Sequence, residues 1–114
     1  MEDDSPQLEI VVLEGEGCAR ISLRGELDVA TAAGLSERLA AVNRTGVSEL
    51  TVDLSGLTYL DAAGVSPLVA EQQRATASGI KLRIESPTAF VRDLLTVTGL
   101  IDYLTVSPEG DAGS

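Results

Sequence analysis

Two periods alternate along the chain. Leu8 to Leu13 is almost entirely apolar, and from Ala19 to Arg24 apolar Ala19, Ile21 and Leu23 alternate with Arg20, Ser22 and Arg24. Glu14-Gly15-Glu16-Gly17 lies between these runs, so they predict two strands joined as an antiparallel hairpin. Gly25-Glu26-Leu27-Asp28 breaks the alternation. From Ala30 to about Asn43 the period lengthens, with Leu35, Leu39 and Val42 at helical spacing. Asp28 is the candidate N-cap, Thr31 the alternative, and Gly46 lies near the expected C-terminal cap. Ser48 to Leu54 reads as a strand and Ser55 to Tyr59 as a loop. A second helix runs from Ala62 to about Ser78, with Val65, Leu68, Val69, Gln72 and Ala75 on one face and Gly79 as its stop. Proline is tolerated only in a first turn, so Pro67 puts the effective start near Ser66, with Asp61 at or just ahead of the N-terminus. Ile80 to Glu85 is a short strand. Ser86-Pro87 opens a third helix as cap and first residue, with Phe90, Val91, Leu94, Leu95 and Val97 as its apolar face and Gly99 as its end. Tyr103 to Val106 is a last strand.

The resulting order is β-β-α-β-α-β-α-β. Helices that link successive strands imply parallel pairing with right-handed crossovers. The expected fold class is therefore α/β: a mixed β-sheet with an N-terminal antiparallel hairpin and helices packed mainly on one face. The alternation at 19–24 and 80–85 fits a sheet whose other face is wet. Residues 8–106 form one domain, with residues 1–7 and 107–114 as polar, flexible flanks.

Composition narrows the chemistry. The chain has 114 residues, 44% of them apolar, but only three aromatics, so the core must be aliphatic. Eighteen acids against eight bases leave a formal charge of −10. That opposes nucleic acid and anionic membranes, which bind Lys/Arg clusters, and suits a basic protein partner. Cys18 is the only cysteine and there is no histidine. No intramolecular disulfide, cysteine zinc site or His-dependent nucleophile can form. No apolar run approaches the ~20 residues of a membrane span, and the acidic start Met1-Glu2-Asp3-Asp4 is unlike a signal peptide. The expectation is a soluble cytoplasmic protein.

The stretch Leu60-Asp61-Ala62-Ala63-Gly64-Val65-Ser66-Pro67-Leu68 is the candidate site. An acid at a strand-to-helix turn, followed by small residues, presents a surface beside free helix N–H groups. Asp61 and Asp28 both read as helix caps, and Asp61 as a contact residue as well. Asp53 reads as a strand-end acid or turn-former, and Tyr59 as a core-packing side chain with partner anchoring as the alternative. Ser66 reads as a cap before Pro67, though Ser-Pro also offers a kinase a hydroxyl. Asp28, Asp53 and Asp61 could converge at one end of the sheet. Without a phosphate-binding glycine loop or a nearby lysine they do not make an enzyme, and no metal or cofactor is expected.

Gly25-Glu26-Leu27-Asp28 before the first helix, Val52 through Val65 before the second, and Val91-Arg92-Asp93-Leu94-Leu95-Thr96-Val97-Thr98-Gly99-Leu100 in the third resemble the STAS domain family. The branch they resemble is that of the anti-anti-sigma factors, the anti-sigma factor antagonists, and the likeness covers about Leu8 to Val106. The resemblance implies a binding module that docks an anti-sigma factor with a GHKL-type kinase fold and so frees a sigma factor for transcription. In the family a serine or threonine directly after the loop aspartate is phosphorylated, which breaks the complex. The family pattern is Asp-Ser-(Ser/Thr)-Gly, and here it is Asp61-Ala62-Ala63-Gly64, so the phosphoacceptor position is Ala62 and carries no hydroxyl. The resemblance places partner binding on Asp28, Thr58, Asp61, Ala62, Ala63, Gly64, Val65 and Ser66, in a monomer or weak homodimer. The alternative it allows is a STAS subunit or scaffold of another complex, such as a phospholipid-transport ATPase.

Overall fold

The structure, a computed structural model, describes residues 7–104 and 106–107. Its elements are β1 (Leu8–Gly15), β2 (Cys18–Leu27), α1 (Val29–Ala41), β3 (Glu49–Leu60), α2 (Ala62–Ala77), β4 (Lys81–Glu85), α3 (Ala89–Val97), α4 (Leu100–Tyr103) and β5 (Val106–Ser107). They form a five-stranded sheet in the order β1-β2-β3-β4-β5. β1 and β2 pair antiparallel, and every later pair is parallel. The predicted mixed sheet with its N-terminal hairpin is thus the observed one. Residues 1–6 and 108–114, which make up nearly all of the predicted flexible flanks, lie outside the described residues.

Alternation decides which face carries the helices. Ala19, Ile21 and Leu23 of β2, Leu50, Val52 and Leu54 of β3, and Leu82 and Ile84 of β4 are buried. Leu35 and Leu39 of α1, Leu68 and Ala75 of α2, and Val91 and Leu95 of α3 complete the same core. The opposite face holds the polar residues between them. There Arg20 Nη2 reaches Asp53 Oδ2 at 3.2 Å and Glu85 Oε1 at 2.9 Å across three strands. Partial burial pushes the Asp53 carboxyl up, but hydrogen bonds from Ser55 and the charge of Arg20 hold it below its ordinary pKa.

Five expectations fail at element boundaries. Gly25–Leu27 does not end β2 but continues it through a register shift against β3. Gly25 takes φ +114, and a Cβ there would lie 2.2 Å from the Gln7 carbonyl oxygen. The strand survives the broken alternation because it bulges at a glycine. Ser55–Tyr59 is likewise strand, since β3 stays paired with that bulged end of β2 up to Leu60. Helix α2 begins at Ala62, capped by Asp61, and Pro67 lies inside it, buried. Pro67 cannot donate to the Ala63 carbonyl, but burial of its ring against the core offsets that loss. Ser66 is therefore not the cap. Helix α3 is capped by Thr88, whose Oγ1 accepts from Val91 N at 3.4 Å, while Ser86 sits at φ 54 ahead of it. Finally, Tyr103, predicted to open the last strand, is instead the last residue of the short helix α4. The sequence spacing of half-buried Leu100 and buried Leu104 is helical, and the strand follows at Val106–Ser107. Within α3, Phe90 and Val97 are 51% and 83% exposed rather than buried, and the stripe Val91–Leu95 faces the sheet instead. Among the described residues no helix is long and apolar enough to cross a membrane.

Candidate functional site at the paired helix N-termini

Strands β2 and β3 run parallel and finish in register, Leu27 beside Leu60. Each is followed at once by an aspartate that caps a helix. The site is built by this coincidence: two parallel strand ends, two acidic caps and two helix N-termini lie side by side. Asp28 accepts from Ala30 N at 2.9 Å and Thr31 N at 3.3 Å, and Thr31 Oγ1 accepts from Asp28 N at 3.0 Å. The two candidate caps are therefore two halves of one capping box. Asp61 Oδ1 accepts from Gly64 N at 3.2 Å. The turns are tied across the strands, because Thr58 Oγ1 donates to Gly25 O at 3.0 Å and Asp61 N to Leu27 O at 3.4 Å.

Gly64 is what lets α2 sit this close. A Cβ on it would lie 2.3 Å from the Leu27 carbonyl oxygen and 2.7 Å from Leu27 Cγ. Neither the backbone nor a fully buried leucine can yield. Gly64→Ala is expected to lower stability by about 2 kcal/mol as an overpacking change, despite alanine's better helix propensity. Urea denaturation checks it; a variant as stable as the parent would mean α2 does not pack on Leu27 this way.

The sequence-proposed residues divide by exposure. Ala62 and Ser66 are exposed on the first turns of α2, Thr58 is exposed on β3, and Ala63, Asp61 and Asp28 are half-buried. Gly64 and Val65 face the core and shape the surface from beneath. Asp53 is not part of this site: it lies mid-strand on the open sheet face with Arg20, so the three aspartates do not converge.

The main correction is Tyr59, expected in the core. Its ring is 39% exposed and stacks on Phe90 of α3, centroids 5.7 Å apart at 25°. Its hydroxyl donates to Asp61 Oδ2 at 3.4 Å. The negative charge of Asp61, with partial desolvation and more distant Asp28 and Glu26, holds the phenol above its ordinary pKa. Val29, the first residue of α1, is 78% exposed. Phe90, Val29 and Glu26 were missed as surface residues. For Phe90 the signal was present: it falls off the Val91–Leu95 stripe of its helix.

The exposed surface thus combines two stacked rings, small apolar side chains and three acids. Among the described residues no group of His, Cys, Asp and Glu could hold a metal ion. The sequence profile of the family described as "Mlab, STAS domain" matches residues 11–106, most of the chain. This chain belongs to the STAS domain family. Its relatives by sequence include an anti-sigma-B factor antagonist of Bacillus subtilis (strain 168), 26% identical over 106 residues, or 93% of this chain and 96% of that one. Among solved structures, this STAS domain resembles an anti-sigma factor antagonist from Mycobacterium paratuberculosis with a TM-score of 0.82 at 24% identity, covering 94% of this chain and 92% of that one. It also resembles part of the murine Slc26a9 anion transporter, with a TM-score of 0.72 at 16% identity, covering 85% of this chain and 17% of that one. The STAS fold and the antagonist likeness expected from the motifs are both found.

Proposed function

We propose that this protein is a cytoplasmic, non-enzymatic anti-sigma factor antagonist. It docks an anti-sigma factor of the GHKL kinase fold and so releases a sigma factor for transcription. The surface it offers is the pair of helix N-termini, with Asp28, Thr58, Asp61, Ala62, Ala63 and Ser66 as contacts and Gly64 and Val65 as their support. The observation that carries the reading is the placement of Ala62. It is exposed and is the first residue of an Asp61-capped helix, and the likeness of Asp61-Ala62-Ala63-Gly64 to the family pattern makes it, in this reading, the phosphoacceptor position. A methyl group there cannot be phosphorylated, so the complex forms without the release step. The antagonist names of relatives that match nearly end to end support this reading.

The likeness to a transporter segment keeps one second reading: a STAS subunit of another assembly, such as a phospholipid-transport ATPase. Affinity capture from the source cells, with and without Mg-ATP and with the captured proteins identified, separates the two. The expected result is a kinase-fold anti-sigma factor that Mg-ATP does not release. Recovery of a transport ATPase subunit in its place, or an anti-sigma factor that ATP does release, would overturn the proposal.

A further inference from the structure

We propose that the outer edge of β1 pairs with the same edge of a second copy, joining two sheets into one across a two-fold axis. β1 is the end strand of the sheet. In its hairpin Gly15 faces Cys18 across a two-residue turn, and the Gln7 carbonyl accepts from Glu26 N at 2.9 Å. The odd-numbered residues therefore bond to β2, and the N–H and C=O groups of Leu8, Ile10, Val12 and Glu14 point away from the sheet. Natural edge strands are blunted by charged side chains, above all lysine, by proline, by a bulge or by shortness. β1 carries only Glu9 and Glu14, near its two ends; its eight residues keep an unbroken register with β2 and contain neither proline nor lysine.

The side chains identify a second copy as the occupant. In an antiparallel pairing, facing residues share a sheet face, so a two-fold pairing of β1 with itself must centre on a residue. Centred on Val12, it sets Val11 opposite Leu13 of the second copy, and Leu13 opposite Val11. These are the two exposed apolar side chains of the strand, 43% and 60% accessible, and they would form one four-residue cluster on the open sheet face. Centring on Val11 would instead oppose Leu13 to Glu9. On the other face, the Val12-centred pairing brings Glu14 opposite Ile10 of the second copy. Ile10 and Arg38 line a hollow of about 300 Å³ between β1 and α1, and Val12, Glu14 and Arg38 line a neighbouring one of about 170 Å³. Arg38 has no acidic partner among the described residues, so the incoming Glu14 supplies one. The pairing adds about six main-chain hydrogen bonds and leaves the surface around Asp61 free.

Sedimentation equilibrium in high salt, which screens the repulsion between two chains of charge −10, tests this. A monomer–dimer equilibrium is expected. Leu13→Lys, at an exposed position, should weaken dimerisation about tenfold or more by setting charge in the apolar cluster. Val12→Pro should do the same by removing an outward N–H that the monomer does not use. Both variants should melt close to the parent temperature. A parent that stays monomeric at its highest soluble concentration, or a dimer indifferent to both folded variants, would overturn the proposal.

Discussion

Arg44→Ala is expected to destabilise the fold by about 3 kcal/mol, lowering the melting temperature by about 10 °C. Glu71, in the middle of α2, is wholly buried. Arg44, in the loop after α1, meets its carboxylate through Nη2 at 2.5 Å and is itself only 15% exposed. The same guanidinium donates to Val42 O at 3.1 Å and to Leu39 O at 2.8 Å, which also accepts from Val42 N at 3.3 Å, at the end of α1. One side chain thus closes a helix C-terminus and neutralises a buried acid on the neighbouring helix. Without it, Glu71 keeps only Arg74 Nε at 3.4 Å, from a side chain that is one-third exposed. A buried carboxylate with one screened partner is the situation in which removing half of an ion pair is most damaging. The control is Arg44→Met with Glu71→Met, which removes both charges and keeps apolar volume. The double variant should recover most of the lost stability in urea denaturation. If it is as unstable as Arg44→Ala, the loss comes from packing and uncapped carbonyls, not from the stranded charge.

This pair also shows how the sequence can be misread. The core stripe of α2 is Gly64, Leu68, Glu71 and Ala75, spaced by four, three and four. Of the expected face Val65, Leu68, Val69, Gln72 and Ala75, the residues Val65, Leu68 and Ala75 are buried, but following hydrophobicity passes over buried Glu71 in favour of half-buried Val69 and Gln72. Glu71 looks misplaced in the true stripe until a cation from another element is known to meet it, and that cation lies 27 residues away. Hydrophobic period located both hairpin strands, the cores of three helices and, apart from α4, the order of elements along the chain, because each rests on local sequence. It failed where pairing overrides local signal. Ser55–Tyr59 has loop composition, yet it is strand because the bulged end of β2 lies beside it. The site followed the same division. Asp28 and Asp61 were legible as caps from chemistry alone. That they cap neighbouring helices at one edge comes from the parallel register of Leu27 with Leu60, and the exposed Tyr59–Phe90 stack depends on where α3 docks.

Ala62→Asp is expected to weaken binding of the kinase-fold anti-sigma factor about a hundredfold, a loss of about 2.8 kcal/mol, while leaving the fold intact. The two halves of that statement have different origins. For the fold, residue 62 is the first of α2. Asp61 already satisfies Gly64 N and Val65 N, so an acid at 62 meets the remaining free N–H groups and the positive end of the helix. Its melting temperature should stay within a few degrees of the parent. For binding, the new carboxylate projects from an exposed position between Asp61 and the incoming partner, in a surface desolvated on docking. The partner that accommodates a methyl group must then bury a charge beside another of the same sign. Ala62→Ser separates charge from size. It should bind like the parent in calorimetry without nucleotide, and lose affinity on incubation with the partner and Mg-ATP as the restored hydroxyl is phosphorylated. An Ala62→Asp variant that binds as tightly as the parent would place the docking surface elsewhere on the domain. An Ala62→Ser variant that binds but stays bound in Mg-ATP would place the loss of the switch in the partner, with Ala62 a consequence of it.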